Sequence, residues 1–398
     1  MKILMINKFL YPKGGAETYM LKLGAYFSEN GHQVQYFGMD HASRTVGNNR
    51  NAYVAEIDFH NSSRWTQLSY PFKIIYSVQA RRQLRKILDD FSPDVCHLNN
   101  FHYQLTPSII LEIRKWERQT GRKCRIIYTA HDPQLVCPNH MCLNPNTHKI
   151  CEKCVHGSFW NCVKNKCIHG SFSRSILGSA ESSLWHGLKV YRQIDTIICC
   201  SHFIKNLLDT NPILAPKTVA LHNFVEPVEY VSAEKKDYVL YFGRYSQEKG
   251  IATLVQAAKQ LPEIPFVFAG AGPLERILDD VPNIQNVGFQ SGEFLNKLIR
   301  EARFTVLPSE WYENCPFSVL ESLSLGTPVL GANIGGIPEL IHGTGELFES
   351  GNSEELTYKL RKLWEDRARL AEYSAQCDVS QFDTLSAYAE KLVAHYRQ

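Results

Sequence analysis

The sequence predicts an α/β chain of two doubly wound parallel-sheet domains in series. Three observations carry that reading. Short apolar runs alternate with helical patterns, the alternation lapses over residues 222–237, and it then restarts. At 398 residues the chain also exceeds the roughly 250–300 at which a single core divides. An apolar content of 44% with 21% charged residues is that of a globular chain, and a net charge of +3 argues against nucleic acid as a partner. No apolar run reaches the roughly 18 residues that cross a bilayer.

Taken in order, KILMIN (2–7) reads as a buried strand. One lysine precedes its apolar run and no small-residue cleavage pattern follows, so a cytoplasmic protein is expected rather than a secreted one. A helix over 16–30 ends at Gly31. QVQYFGM, DVCHLNN, RIIYTAH, TIICCS and TVALHN follow as strands, with helical stretches between most of them. HNFVEPVEYVSAEKKD (222–237) carries Pro227, ends in charge and reads as a linker. YVLYFGR, PFVFAGAGP, IQNVGF, FTVLPS and PVLGAN then build a second sheet. The expected domains are 1–222 and 237–381, with a helix in 382–398 that belongs to either half. Between the carboxyl ends of two such sheets lies a cleft, where open α/β sheets bind ligands.

Two segments break the rhythm. Residues 64–90 gather Trp65, Tyr70, Phe72 and Tyr76 beside Lys73, Arg81, Arg82, Arg85 and Lys86. An amphipathic helix with a solvated basic face explains them, and so does a peripheral contact with anionic lipid heads on the inner membrane face. Residues 133–170 are turn-rich and hold six of the twelve cysteines. Without a secretory signal, such a cluster points to metal or redox chemistry. Cys151-x2-Cys154 has zinc-knuckle spacing, and Cys137 or Cys142 with Cys162 or Cys167 completes a four-cysteine structural site. Free thiols in a loop are the plainer alternative.

The candidate chemistry lies at strand ends. In GRYSQEKG (243–250), Arg244 and Lys249 flank a loop bounded by glycines; two cations there suit a diphosphate. In ENCPFSVLE (313–321), Pro316 is expected as the first residue of a helix. The N–H groups of Phe317, Ser318 and Val319 then point outward at its positive end, where an anion is stabilised. Glu313 precedes that helix and Glu321 lies on its second turn, eight residues or about 12 Å further on. That is about the span from the ribose to the hexose of a sugar nucleotide. In PKGGAE (12–17), Gly14 and Gly15 let backbone approach a phosphate closely. His131 and Asp132 end the strand RIIYTAHD, and GGIPE (335–339) closes another flexible turn.

Together, in this order and spacing, GGAE (14–17), HD (131–132), GR…EKG (243–250), PSE…E-x7-E (308–321) and GGIPE (335–339) resemble the retaining GT-B glycosyltransferases of family 4, over nearly the whole chain. The resemblance implies two Rossmann-like domains facing a central cleft. By it, Arg244 and Lys249 neutralise the donor diphosphate, Glu321 binds the ribose, and Glu313 holds the hydroxyls of the transferred sugar. His131 lies beside that sugar, and Gly15 approaches its phosphate or the acceptor. This chain departs from the E-x-F-G that many members read, having Glu313-Asn314-Cys315-Pro316-Phe317; the anchor acids are kept, and Asn314, Pro316, Phe317 and Ser318 are the residues expected along the donor. Similar cysteine-rich inserts occur in a subset of the family.

The sequence holds no Asp-x-Asp to seat a divalent ion on the diphosphate, so a reaction that needs none is expected. The expected substrates are a nucleotide sugar and a glycan acceptor, lipid-linked or capsular. An epimerase or phosphorylase on the same scaffold, or an inactive scaffold carrying a zinc-dependent binding module, are the alternatives.

Overall fold

The protein is described here by a computed structural model, which describes residues 1–56, 74–226, 234–377 and 382–398. It folds into two units, Met1–Leu221 with Ser386–Gln398, and His222–Leu385.

In the first unit the elements run β1 (Lys2–Ile6), α1 (Gly15–Glu29), β2 (Gln33–Phe37), α2 (Val78–Phe91), β3 (Val95–Leu98), α3 (Ser108–Thr120) and β4 (Arg125–Ala130). The cysteine segment follows with a small hairpin, β5 (Leu143–Asn144) and β6 (Lys149–Ile150), and α4 (Trp160–Lys164). Then come α5 (Phe172–Gly187), β7 (Thr196–Cys199), α6 (His202–Asp209) and β8 (Thr218–Ala220). The sheet order is β2-β1-β3-β4-β7-β8, parallel throughout. A parallel sheet is covered on both faces, which is why its strands read as unbroken apolar runs; Ile3, Leu4, Met5 and Ile6 are wholly buried.

The second unit repeats the plan with β9 (Val239–Arg244), α7 (Ile251–Lys259), β10 (Phe266–Ala271), β11 (Ile284–Asn286), α8 (Gly292–Glu301) and β12 (Phe304–Leu307). It continues with α9 (Phe317–Ser324), β13 (Val329–Ala332), α10 (Ile337–Ile341), β14 (Gly345–Phe348), α11 (Ser353–Glu365) and α12 (Arg367–Gln376). Its order, β11-β10-β9-β12-β13-β14, is also all parallel. In each unit the order reverses once, between β1 and β3 and between β9 and β12. Loops leaving the carboxyl ends of those strands diverge to opposite faces and leave room for a ligand.

The last helix, α13 (Leu385–Arg397), packs on the first unit. Its Tyr388 hydroxyl lies 2.7 Å from that of Tyr19, which also meets Thr129 Oγ1 at 3.1 Å. His97 bridges Thr129 Oγ1 at 2.7 Å and the Tyr396 hydroxyl at 2.6 Å. All five side chains are buried, so each polar group satisfies another where water cannot.

Of the basic–aromatic segment 64–90, residues 64–73, with Trp65, Tyr70, Phe72 and Lys73, lie outside the described residues. In the described part, Tyr76 stacks on Trp185 of α5, Arg81 pairs with Glu112 at 2.5 Å, and Arg85 pairs with Asp89 at 2.9 Å. Two of the cations expected to face lipid are therefore neutralised within the fold. No helix among the described residues is long and apolar enough to cross a membrane.

Candidate active site

The switch point of the second unit sets the loop after β9 beside the loop after β12. Lys249 Nζ there meets Glu313 Oε1 at 2.5 Å. The same carboxylate accepts from Trp311 Nε1 at 2.8 Å and Ser309 Oγ at 2.9 Å. Glu313 is buried, which pushes its carboxyl upward, but the Lys249 charge and the three donors outweigh burial and hold it below the usual range. It stays ionised, with its second oxygen available. Two glycines let these loops close. Gly250 has φ +69° and a Cβ there would lie 1.7 Å from the Pro308 carbonyl oxygen. Gly335, φ +61°, lies under the Glu313 backbone, whose carbonyl accepts from Gly336 N at 2.6 Å.

Arg244 is more than half exposed and pairs with Glu248 at 2.5 Å. The two cations expected on a diphosphate are thus each held by an acid here, Lys249 by the acid expected on the sugar. The helix α9 begins at Phe317, with Pro316 as the extended residue before it rather than the first helical one. The Val319 N–H donates to the Pro316 carbonyl at 3.1 Å, so Phe317 and Ser318, not Val319, supply the outward donors of this terminus. Glu321 sits on its second turn, half-buried, and Asn314 is buried beside Glu313.

In the first unit, His131 ends β4 and its Nε2 meets Asn99 Oδ1, at the end of neighbouring β3, at 2.9 Å. The Tyr19 ring stands edge-on to it at 4.9 Å. Burial lowers the imidazole to about 3, so it is neutral at pH 7. Asp132 beside it is raised by burial to about 7, against the opposing Gln134 N–H. Gly14 caps α1 and Gly15 is its first residue. Glu17 folds back toward this terminus, where Asn7 Nδ2 donates to it at 3.0 Å; a Cβ on Gly14 would touch its Oε2 at 3.4 Å. A phosphate approaching Gly14 or Gly15 therefore meets a carboxylate as well as free N–H groups. Sequence reasoning missed Asn99, whose partner depends on strand order. It also missed Ser309 and Trp311, whose signal was their place inside PSEWYE.

The six cysteines expected to supply a four-thiolate site all lie among the described residues, as free thiols. Among the described residues no three His, Cys, Asp or Glu side chains are placed to hold a metal. Cys137 interacts with Cys142 and Cys162 with Cys167, which pushes the Cys142 and Cys162 thiols far up and holds those of Cys137 and Cys167 down. Cys154 and Cys162 pack with Phe159 and Ile168 in a small apolar cluster that gives the segment a core.

Comparison with known proteins agrees with this fold. Two parallel six-stranded sheets of Rossmann type define the GT-B class of glycosyltransferases. Profiles described as "Glycosyltransferase Family 4" and "Glycosyl transferases group 1" match residues 13–229 and 225–377. The chain belongs to glycosyltransferase family 4. An uncharacterized 42.6 kDa protein in the cps region of Klebsiella pneumoniae is 22% identical over 360 residues, 85% of this chain and 87% of that one. Among solved structures, Anabaena HepE in complex with UDP and glucose superposes with a TM-score of 0.68 at 16% identity, covering 99% of this chain and 98% of that one. Sucrose-phosphate synthase from Thermosynechococcus elongatus does so with 0.70 at 16% identity, covering 100% and 98%.

The buried groups of the first unit set a pH dependence. Burial holds His97, His131 and His140 near 3 and His102 well below its ordinary value. The unfolded chain gains those four protons below about 6.5, so their contribution to stability is lost as pH falls. Asp132 and Glu181, raised by burial to about 7 and about 8, act in the opposite sense but number two. The unfolding free energy from urea titration is expected to fall between pH 6.5 and 4.5, by about 3 kcal/mol per pH unit at the steepest. Glu181→Gln should steepen that fall by removing one opposing proton; a flat profile would contradict the burial assignments.

Proposed function

We propose that this glycosyltransferase moves a hexose-type sugar from a nucleotide-sugar donor to a glycan acceptor, with retention at the anomeric carbon and without a divalent ion. The observation that carries the reading is the Lys249–Glu313 pair beside the N-terminus of α9, with Glu321 one turn in. In this reading Glu321 accepts from the ribose hydroxyls. The diphosphate lies against the N–H groups of Phe317 and Ser318, with Arg244 and Lys249 turning toward it, while Asn314 and Pro316 line the turn. Glu313, ionised and fixed by Ser309 and Trp311, accepts from hydroxyls of the sugar. In the first unit His131, neutral, donates to or accepts from a substrate hydroxyl, and Gly14 and Gly15 leave room for a phosphate or the acceptor.

As the sugar–phosphate bond breaks, charge develops on the leaving phosphate, where the fixed N–H dipoles of the helix terminus meet it, joined by the two cations once they turn from Glu248 and Glu313. The acceptor oxygen attacks from the face the phosphate leaves, and a phosphate oxygen takes its proton. UDP and glucose bound by HepE, and the cps region that houses the Klebsiella relative, support a nucleotide-sugar donor and a capsular or lipid-linked envelope precursor as acceptor.

Calorimetric titration with UDP, GDP and ADP sugars tests the reading. One of them should bind, Glu321→Ala should weaken it at least about tenfold, and turnover should persist in a chelator. Binding of none of the three would end the proposal.

A further inference from the structure

Helix α5 buries one face and leaves the other bare. Its inward positions, Ser175, Gly178, Ser179, Ser182 and Trp185, are buried, and so is its one acid, Glu181. The outward face repeats every fourth residue: Phe172 (56% exposed), Ile176 (39%), Ala180, Leu184 (41%) and, just past its end, Leu188 (59%). At helical rise this apolar stripe runs about 24 Å. Trp160, which opens α4, is 57% exposed. The Ile168 N–H donates to Ser175 Oγ at 3.0 Å and a Cβ on Gly178 would meet Ile168 at 2.3 Å, so the 164–170 turn lies close against the start of α5. Five of the nine large exposed apolar side chains among the described residues thus fall within 29 residues.

The surrounding charge is one-sided. Between Lys149 and Arg192 stand seven lysines and arginines, all exposed, against Glu152 and the buried Glu181. That net of +5 exceeds the +3 of the whole chain, so the other residues sum to −2. Lys164, Lys166 and Arg174 flank the aromatic end of the stripe, and Lys189 follows Leu188.

We infer that the chain docks on anionic lipid bilayers through the outward face of α5 and Trp160. An amphipathic helix lying in the interface places apolar side chains among the acyl chains and cations at the headgroups, with tryptophan at the boundary. Each exposed cation adds attraction to an anionic surface. A second copy of this chain is the poorer occupant, because a two-fold interface would set two faces of like charge against each other. This docking deepens the proposed function by giving a membrane-side acceptor a surface to be met on, and it is measured without donor or acceptor.

The experiment is flotation of the full chain with vesicles of phosphatidylcholine alone and with about a third phosphatidylglycerol. The chain should float with the anionic vesicles only. Ile176→Asp with Leu184→Asp, and separately Lys164→Glu with Lys166→Glu, should each lower the bound fraction at least about tenfold. Both pairs replace exposed side chains, and matched thermal unfolding checks the fold. Wild-type protein left in the supernatant, or variants that float like it, would overturn the inference. A dimer in sedimentation that the aspartates split, with vesicles ignored, would assign the stripe to self-association and overturn it likewise. Donor titration of the same variants separates the two readings: vesicle binding lost or absent with donor binding kept sinks the docking alone.

Discussion

Glu313→Gln is expected to lower sugar transfer about thirtyfold or more while leaving nucleotide affinity unchanged or tighter. The carboxylate accepts from Lys249, Ser309 and Trp311 at once, and an amide offers one acceptor and two unwanted donors in the same buried space. Hydrogen bonds to charged groups are worth about 1.5–3 kcal/mol each, and the sugar hydroxyls lose theirs. Lys249, freed of its partner, turns to the phosphates, which is why free nucleotide does not bind more weakly. Initial rates with the selected donor, beside titration with the bare nucleotide, give both numbers. Near-normal turnover would mean that the hydroxyls of the sugar are held elsewhere.

The second large effect is on folding. Gly250→Ala should destabilise the second unit by at least about 3 kcal/mol, or leave the chain insoluble. A left-handed φ costs alanine about 1–2 kcal/mol, and here the added Cβ also drives into the Pro308 carbonyl at 1.7 Å. Gly335→Ala, with its Cβ 2.3 Å from the Glu313 carbonyl oxygen, should follow closely. Gly288 has the same φ of +69° but open space around it, so Gly288→Ala isolates the conformational cost and should stay within that about 1–2 kcal/mol. Equal losses at Gly250 and Gly288 would show that the close approach contributes nothing.

How far the sequence carried this reading varies from element to element. KILMIN, RIIYTAH and TIICCS became β1, β4 and β7 because strands covered on both faces must be apolar without interruption. GELF, which forms β14, passed unread: at the sheet edge it buries Leu347 only in part and carries Glu346, so its alternation is weak. The residue types of the site were legible as strand-end cations and acids. Their pairing was not, since Lys249 meets Glu313 only because β9 neighbours β12, 64 positions on. Asn99 reaches His131 for the same kind of reason. For the cysteines, spacing matched a zinc knuckle, while which thiols become neighbours was not legible from spacing. The β5–β6 hairpin and α4 turn them into neighbouring pairs.

The return of α13 to the first unit has a consequence for biosynthesis. While the ribosome still holds the chain, Tyr19 and His97 lack the hydroxyls of Tyr388 and Tyr396 that they meet in the finished protein. The first 221 residues are made well before the last thirteen, by about ten to thirty-five seconds at roughly 5–20 residues per second. In that interval the second unit, continuous in sequence, has all its residues in hand first. A nascent or prematurely stopped chain ending near residue 385 therefore presents a complete second unit tethered to an unfinished first one, with the groove meant for α13 open to whatever chaperone or protease reaches it.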